Sequence, residues 1–235
     1  MRTQVSPDLS ILRSEVAARL GLPSTPSDYD FEQECRSYLC DLRWPGGVEC
    51  PRCTEHARLL WLESRSKWHC YACRYQFSVT AGTLFHSSHL PVWKWFIAVH
   101  LMLESPDGLS ANELRRTIGG SYKTAWFAAH RIRAAMRGHG AELLRSLVDA
   151  ELHRAGAESP PRTIELARAN SRVLARMRRV VGGPHHQLSA KYLPAYIDER
   201  RWLSENEDNP YVFRDTISAL LEGEGISYER LVAAA

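Results

Sequence analysis

Hydrophobic positions along the chain follow two different periods, and the change between them outlines its organisation. Leu9, Leu12, Val16 and Leu20 recur at helical spacing and the pattern stops at Gly21 and Pro23, which predicts a short amphipathic helix within residues 7–20. Ser24 to Asp30 is polar and contains a proline, as a linker would. Phe31 to Leu42 resumes the helical period, with Cys35, Leu39 and Leu42 on one face. Trp44-Pro45-Gly46-Gly47 is a turn. Between Leu59 and Thr83 the residues Trp61, Trp68, Tyr75, Phe77 and Val79 are interleaved with polar ones, the alternation of short antiparallel strands. After Pro91 the helical period returns. Val92 to Leu103 is apolar around much of its circumference, so that helix is expected to be largely buried.

Two further helices follow a turn at Ser105–Leu109. Ser110 can cap a helix running to Ile118, with Glu113 three residues on completing a capping box. Gly119-Gly120 ends it. Ser121 can cap the next helix, which continues to Met136. Two helices joined by a glycine turn have the proportions of a helix-turn-helix, whose second helix enters the major groove with its N-terminal end leading. Ser121, Tyr122, Lys123 and Thr124 would then meet phosphates or base edges, and Arg131 and Arg133, further along, would meet the backbone. Ala125, Trp126, Ala129 and Ile132 would face the core. A helical hairpin with a glycine turn and no DNA partner produces the same pattern.

Candidate metal chemistry lies upstream. Cys50-Pro51-Arg52-Cys53 and Cys70-Tyr71-Ala72-Cys73 form two C-x2-C knuckles. Two intervening residues let both thiolates of a knuckle reach one ion, and the strands between the knuckles return the chain to complete a tetrahedron. Four thiolates leave no position for water, so the expected ion is a structural Zn2+. Two disulfides or four reduced core cysteines are the other ways to read the spacing. His56, His69, Cys35 and Cys40 are left outside the ligand set.

The net charge of +3 says little, but its distribution says more. From Arg115 to Arg137 the chain carries Arg115, Arg116, Lys123, Arg131, Arg133 and Arg137 with no acid. Arginines also dominate from Arg162 to Arg179, whereas acids prevail after Asp198. A basic middle and an acidic tail suggest a polyanionic partner for the middle alone. Solvated helix faces are the plainer alternative. No apolar run approaches the roughly 18–20 residues needed to span a bilayer, and no secretory signal is apparent. A cytoplasmic protein without a membrane partner is therefore expected.

The order of these pieces resembles a known family. FEQECRSYLCDLRWPGGVECPRC, then WHCYACRYQFSVTAGTLFHSSHLPVWKWF, then SANELRRTIGGSYKTAWFAAHRIRAAM, from about Phe31 to Met136, are similar to the N-terminal part of zinc-ribbon insertion-sequence transposases with an ISXO-like catalytic domain. The resemblance implies that the ribbon and helix-turn-helix recognise double-stranded transposon-end DNA. It also implies an RNase H-like domain beyond them, where carboxylates hold Mg2+ for two-metal phosphoryl transfer.

The expected catalytic strands are not legible. Asp149 and Glu151 sit roughly where the first should begin, but Ala141 to His153 reads as a helix. Asn170 falls near the third catalytic position with too little chain between for a central sheet. His185-His186 reads as a packing feature rather than a metal pair. GGPHHQLSAKYLPAYIDERRWLSEN and YVFRDTISALLEGEGISYERLV again resemble the family's C-terminal end.

The fold class expected is mainly α with a small β zinc ribbon. The divisions are an N-terminal helix and linker (1–30), the ribbon with its leading helix (31–88), the helix-turn-helix (89–137) and a helical remnant of the catalytic region (138–235). The function expected is DNA binding without a catalytic site. Two alternatives stay open: an active transposase using Mg2+, and an interaction module for a full-length transposase or RNA polymerase.

Overall fold

The computed structural model describes residues 8–22, 27–105, 108–138 and 192–233. Asp149, Glu151, Asn170, His185 and His186 lie outside the described residues, as do the helix expected at 141–153 and the second arginine-rich stretch. The described chain is mainly helical, with one small antiparallel sheet. No described helix is long and apolar enough to cross a membrane. The chain divides into two compact units. One comprises residues 1–100 and 213–227, and the other comprises 101–212 and 228–235.

The first unit opens with α1 (Leu9–Arg19) and α2 (Asp28–Arg43). The polar segment read as a linker is shorter than expected, because the Ser27 side chain caps α2 by accepting the Asp30 N–H. Helix α3 (Val92–Leu103) has the bounds its hydrophobic pattern predicts, and Trp95, Phe96, Ile97, Ala98, Val99 and Met102 are all buried. Glu32 of α2 joins the two helices: one carboxylate oxygen accepts the Trp93 N–H at 3.1 Å and the other binds Arg36 at 2.7 Å. That carboxylate satisfies one of the four N–H groups every helix start leaves orphaned. On the α1 side, His100 is held between Glu15 (2.8 Å) and Arg19 (3.1 Å).

The sheet is β1 (Leu59–Leu62), β2 (Lys67–Cys70) and β3 (Gln76–Phe77) in sequence order, with Trp61 opposite Trp68 and Trp68 opposite Phe77. Behind it the chain from Ser78 to Phe85 runs as hydrogen-bonded turns rather than strand. Thr83 donates its hydroxyl to the Thr80 carbonyl and accepts the Phe85 N–H. A distant helix, α7 (Val212–Glu222), closes this unit. The Leu84 N–H donates to the Leu220 carbonyl, and Phe213 meets Phe96 edge-on. Gly223 lets the two segments approach: a Cβ there would lie 2.5 Å from Leu84 Cδ1.

The second unit contains α4 (Ala111–Ile118), α5 (Tyr122–Ala135), α6 (Leu193–Glu205) and α8 (Tyr228–Ala233). Helix α5 packs against both α4 and α6. Leu114, Ile118, Ala125, Ala129, Ile132 and Leu193 are buried here. The capping box forms as its spacing predicts, with the Ser110 hydroxyl accepting the Glu113 N–H and the Glu113 carboxylate accepting the Ser110 N–H. Both glycines of the α4–α5 turn have positive φ (74° and 82°), a conformation that strains residues with a side chain.

Candidate metal centre and nucleic-acid interface

The two cysteine knuckles have the same local geometry, which follows from their identical spacing. In each, the N–H four residues after the first cysteine returns to that cysteine's carbonyl: Thr54 to Cys50 at 2.9 Å and Arg74 to Cys70 at 2.8 Å. In each, the cysteine N–H donates to the carbonyl five residues on, Glu55 and Tyr75 respectively. Closing so tight a loop forces Thr54 and Arg74 into the left-handed region, with φ of 57° and 59°. This arrangement costs about 1–2 kcal/mol per residue without glycine, and it aims both sulfurs of a knuckle at one point.

β1 and β2 then carry the second knuckle back to the first. Cys50 Sγ lies 3.7 Å from Cys73 Sγ, Cys53 Sγ lies 3.6 Å from Cys70 Sγ, and the four sulfurs all lie within 4.8 Å of one another. A zinc ion with ligands at about 2.3 Å separates tetrahedral sulfurs by roughly 3.8 Å. A disulfide would need about 2.05 Å, and all six cysteines are free thiols. The donor set and spacing thus fit a structural zinc ion, and among the described residues no other such group of His, Cys, Asp or Glu comes together. The thiols pull in opposite directions within the cluster. At Cys70 burial raises the thiol, but N–H groups of Cys73 and Ala72 and the neighbouring thiols bring it down to about 7. At Cys53 the backbone hydrogen bond of Glu55 lowers the thiol, but the neighbouring thiols and burial outweigh it and push it up to about 12.

Around the site a small core forms from Cys50, Cys70, Phe77 and Ala81, with Trp44, Val48, Leu59 and Trp68 packed on it. A cluster this small cannot hold a fold alone, so metal binding must supply much of its stability, on the order of 10 kcal/mol. The remaining thiols take no part. Burial pushes Cys35 far above its ordinary value and Cys40 up to about 11, so neither offers a thiolate. His56 is exposed, and His69 packs edge-on against Tyr71.

The residues assigned from sequence to a nucleic-acid interface separate into two groups. Ser121, Tyr122, Lys123 and Thr124 all lie exposed in the first turn of α5 or at its cap. The Ser121 side chain accepts the Thr124 N–H at 3.1 Å, and Lys123 Nζ sits 4.1 Å from the centre of the Tyr228 ring. The other two, Arg131 and Arg133, are buried. Arg133 pairs with Glu199 of α6 at 2.8 Å, donates to the Leu109 carbonyl at 3.2 Å and stacks over Tyr196 at 3.9 Å. Burial works against its charge, yet Glu199 and Tyr196 hold its pKa above the ordinary value. Arg131 lies 4.0 Å over the Phe127 ring, and burial lowers its pKa to about 10.

Arg115 and Arg116, on α4, are exposed beside the turn, where the sequence pattern gave only a run of charge. Arg115 and Arg116 follow buried Leu114 on the exposed side of α4, whereas residues 128–133 of α5 are buried all round the helix, with Glu199 of α6 packed against Arg133.

A four-thiolate ribbon on a three-stranded sheet is a zinc-binding module whose metal organises the fold rather than a reaction. Residues 31–76 match a known family, the transposase zinc-ribbon domain of the IS1595 type. Over 107 residues the chain is 29% identical to a Halobacterium salinarum protein described as an uncharacterized protein in transposable element ISH50. That match covers 45% of this chain and 36% of the relative, so the chain spans about a third of the relative it matches. No solved structure matches. The chain thus carries a segment similar to the zinc-ribbon domain of insertion-sequence transposases and is similar over part of its length to a protein of a transposable element.

Proposed function

We propose that this protein binds double-stranded DNA, recognising transposon ends with the α4–turn–α5 unit acting as a helix-turn-helix and the zinc ribbon holding a second contact. The observation that carries this reading is the exposed first turn of α5. Ser121 to Thr124 stand clear of the core beside Arg115 and Arg116, at a helix N-terminus whose dipole favours phosphate. Tyr122 is 51% exposed, so its ring is open to a partner. In this reading Arg115, Arg116 and Lys123 neutralise phosphates, and Ser121, Tyr122 and Thr124 meet the groove. Arg131 and Arg133 hold α5 in place instead of touching DNA: Arg133 is buried in its pair with Glu199, whose charge would be stranded if it left, and Arg131 is buried over the Phe127 ring. Structural Zn2+ is the cofactor. A full-length transposase is the natural protein partner.

The protein acts without the parent family's phosphoryl-transfer chemistry, since the chain offers too little sequence for a central sheet between Asp149 and Asn170. The test is a gel shift on DNA bearing inverted-repeat ends, run as a salt titration beside a strand-transfer assay with Mn2+. Binding should weaken steeply with salt, and Arg115→Ala, Arg116→Ala and Lys123→Ala should each reduce the slope of log K against log salt by about 1. Salt-independent binding would refute phosphate contact. Cleavage abolished by Asp149→Ala would refute the non-catalytic reading.

A further inference from the structure

One surface of the first unit is not used by the metal centre or by α5. Between α2 and the sheet lies an open groove of about 300 Å³. Gln33, Arg36 and Ser37 line it from the helix, Trp61 and Trp68 from the strands, and Ser66 from the turn between them. We propose that this groove binds an unpaired base of single-stranded DNA, stacked on Trp61. The proposal rests on DNA as the partner and adds a strand state that a helix-turn-helix does not read.

Three features of the groove favour a base. The first is a rigid aromatic platform. Trp61 is 43% exposed, yet its ring is held 4.5 Å from that of Trp68 across the β1–β2 ladder. Trp68 is itself fixed from behind, edge-on to Trp44 at 5.4 Å and stacked on Phe77 at 5.8 Å. Trp68, backed by Trp44 and Phe77, thus holds the half-exposed Trp61 ring in place before any ligand arrives, so little side-chain entropy remains to be lost on binding. Every base offers a complementary face, and such stacking tolerates any sequence.

The second feature is a few polar groups at the edge of a mainly apolar groove that Cys40 and Val79 also line. Ser66 on one wall and Gln33 and Ser37 on the other supply hydroxyl and amide groups of the kind that engage base edges. The third is charge. Arg65 and Lys67 flank Ser66 on exposed chain, and Arg65 binds the neutral Gln76 amide at 3.2 Å, which leaves its charge uncompensated for a phosphate. Arg36 lines the opposite wall, anchored by Glu32 at 2.7 Å. A neutral peptide would gain from the aromatic face but would leave Arg65 and Lys67 unanswered. A nucleotide strand answers both.

The experiment uses the full zinc-loaded chain and three labelled probes in fluorescence anisotropy: an oligothymidylate of about ten nucleotides, an abasic strand of equal length, and a blunt duplex carrying an end sequence. Thymidylate should bind and the abasic strand, with the same phosphates, should bind much more weakly. Trp61→Ala should weaken thymidylate roughly 5- to 150-fold, the loss of one stacked base, whereas Trp61→Phe should recover part of it. Blunt-duplex affinity and zinc content should stay unchanged in both variants.

Equal affinity for the abasic strand would overturn the proposal, as would thymidylate binding indifferent to Trp61→Ala. Loss of a proline-rich peptide's binding in Trp61→Ala, with thymidylate binding intact, would also overturn it and assign the groove to protein. Failure of the wild-type protein to bind the duplex would instead count against the helix-turn-helix reading, independently of the groove.

Discussion

Arg133 and Glu199 provide a direct way to ask whether an arginine of α5 serves the fold or the DNA. Their side chains are only 1% and 2% exposed and meet at 2.8 Å. At an effective dielectric near 20, two unit charges at that distance attract by about 6 kcal/mol, most of which offsets the desolvation of both groups. The consequence is asymmetric. Glu199→Met alone should destabilise the second unit by about 3–5 kcal/mol, because it leaves the guanidinium buried with only the Leu109 carbonyl and the Tyr196 ring as partners. Replacing both residues, as Arg133→Met with Glu199→Met, should be close to neutral, since neither charge then remains uncompensated.

Urea denaturation of the wild type, both single variants and the double variant gives the coupling energy. The double variant should also keep its DNA affinity and the salt dependence of binding. A double variant as stable as the wild type but with a salt slope reduced by about 1 would refute the reasoning. It would show that Arg133 leaves Glu199 to neutralise a phosphate.

Other consequences can be checked separately. Chelating the metal should unfold the ribbon, seen as loss of the near-ultraviolet signal of Trp44, Trp61 and Trp68, while much of the far-ultraviolet helical signal remains; a ribbon still ordered without metal would contradict the zinc-dependent core. Thr54→Gly and Arg74→Gly should be neutral or stabilising by up to about 1 kcal/mol, because relief of left-handed strain offsets the added chain entropy. The matching alanine variants should show no such gain, and equal behaviour of glycine and alanine in thermal unfolding would refute the strain. Ser110→Ala should cost about 1 kcal/mol in thermal unfolding by removing half of the α4 capping box; an unchanged midpoint would mean that this cap does not hold the helix.

The metal centre was legible in the sequence because its determinants are local. Two residues between cysteines, and a chain reversal sixteen residues long, suffice to bring four sulfurs together whatever the rest of the protein does. Helix α3 and the caps at Ser110 and Ser121 were legible for the same reason, since hydrophobic period and capping act within a few residues. What the sequence could not resolve was the fate of its arginines. Arg115 and Arg133 are identical in composition, and both sit in helices of a basic stretch.

Only the arrival of α6, some sixty residues later, places Glu199 against Arg133 and leaves Arg115 in solvent. The same applies to the tryptophans. Alternation predicts that Trp61 and Trp68 lie on strands, but the register that pairs them, and the helix that walls the groove beside them, are set by long-range packing. Pairing, burial and groove formation depend on which distant side chain arrives. That is a property of the tertiary fold, whereas chelation and capping are written into neighbouring residues.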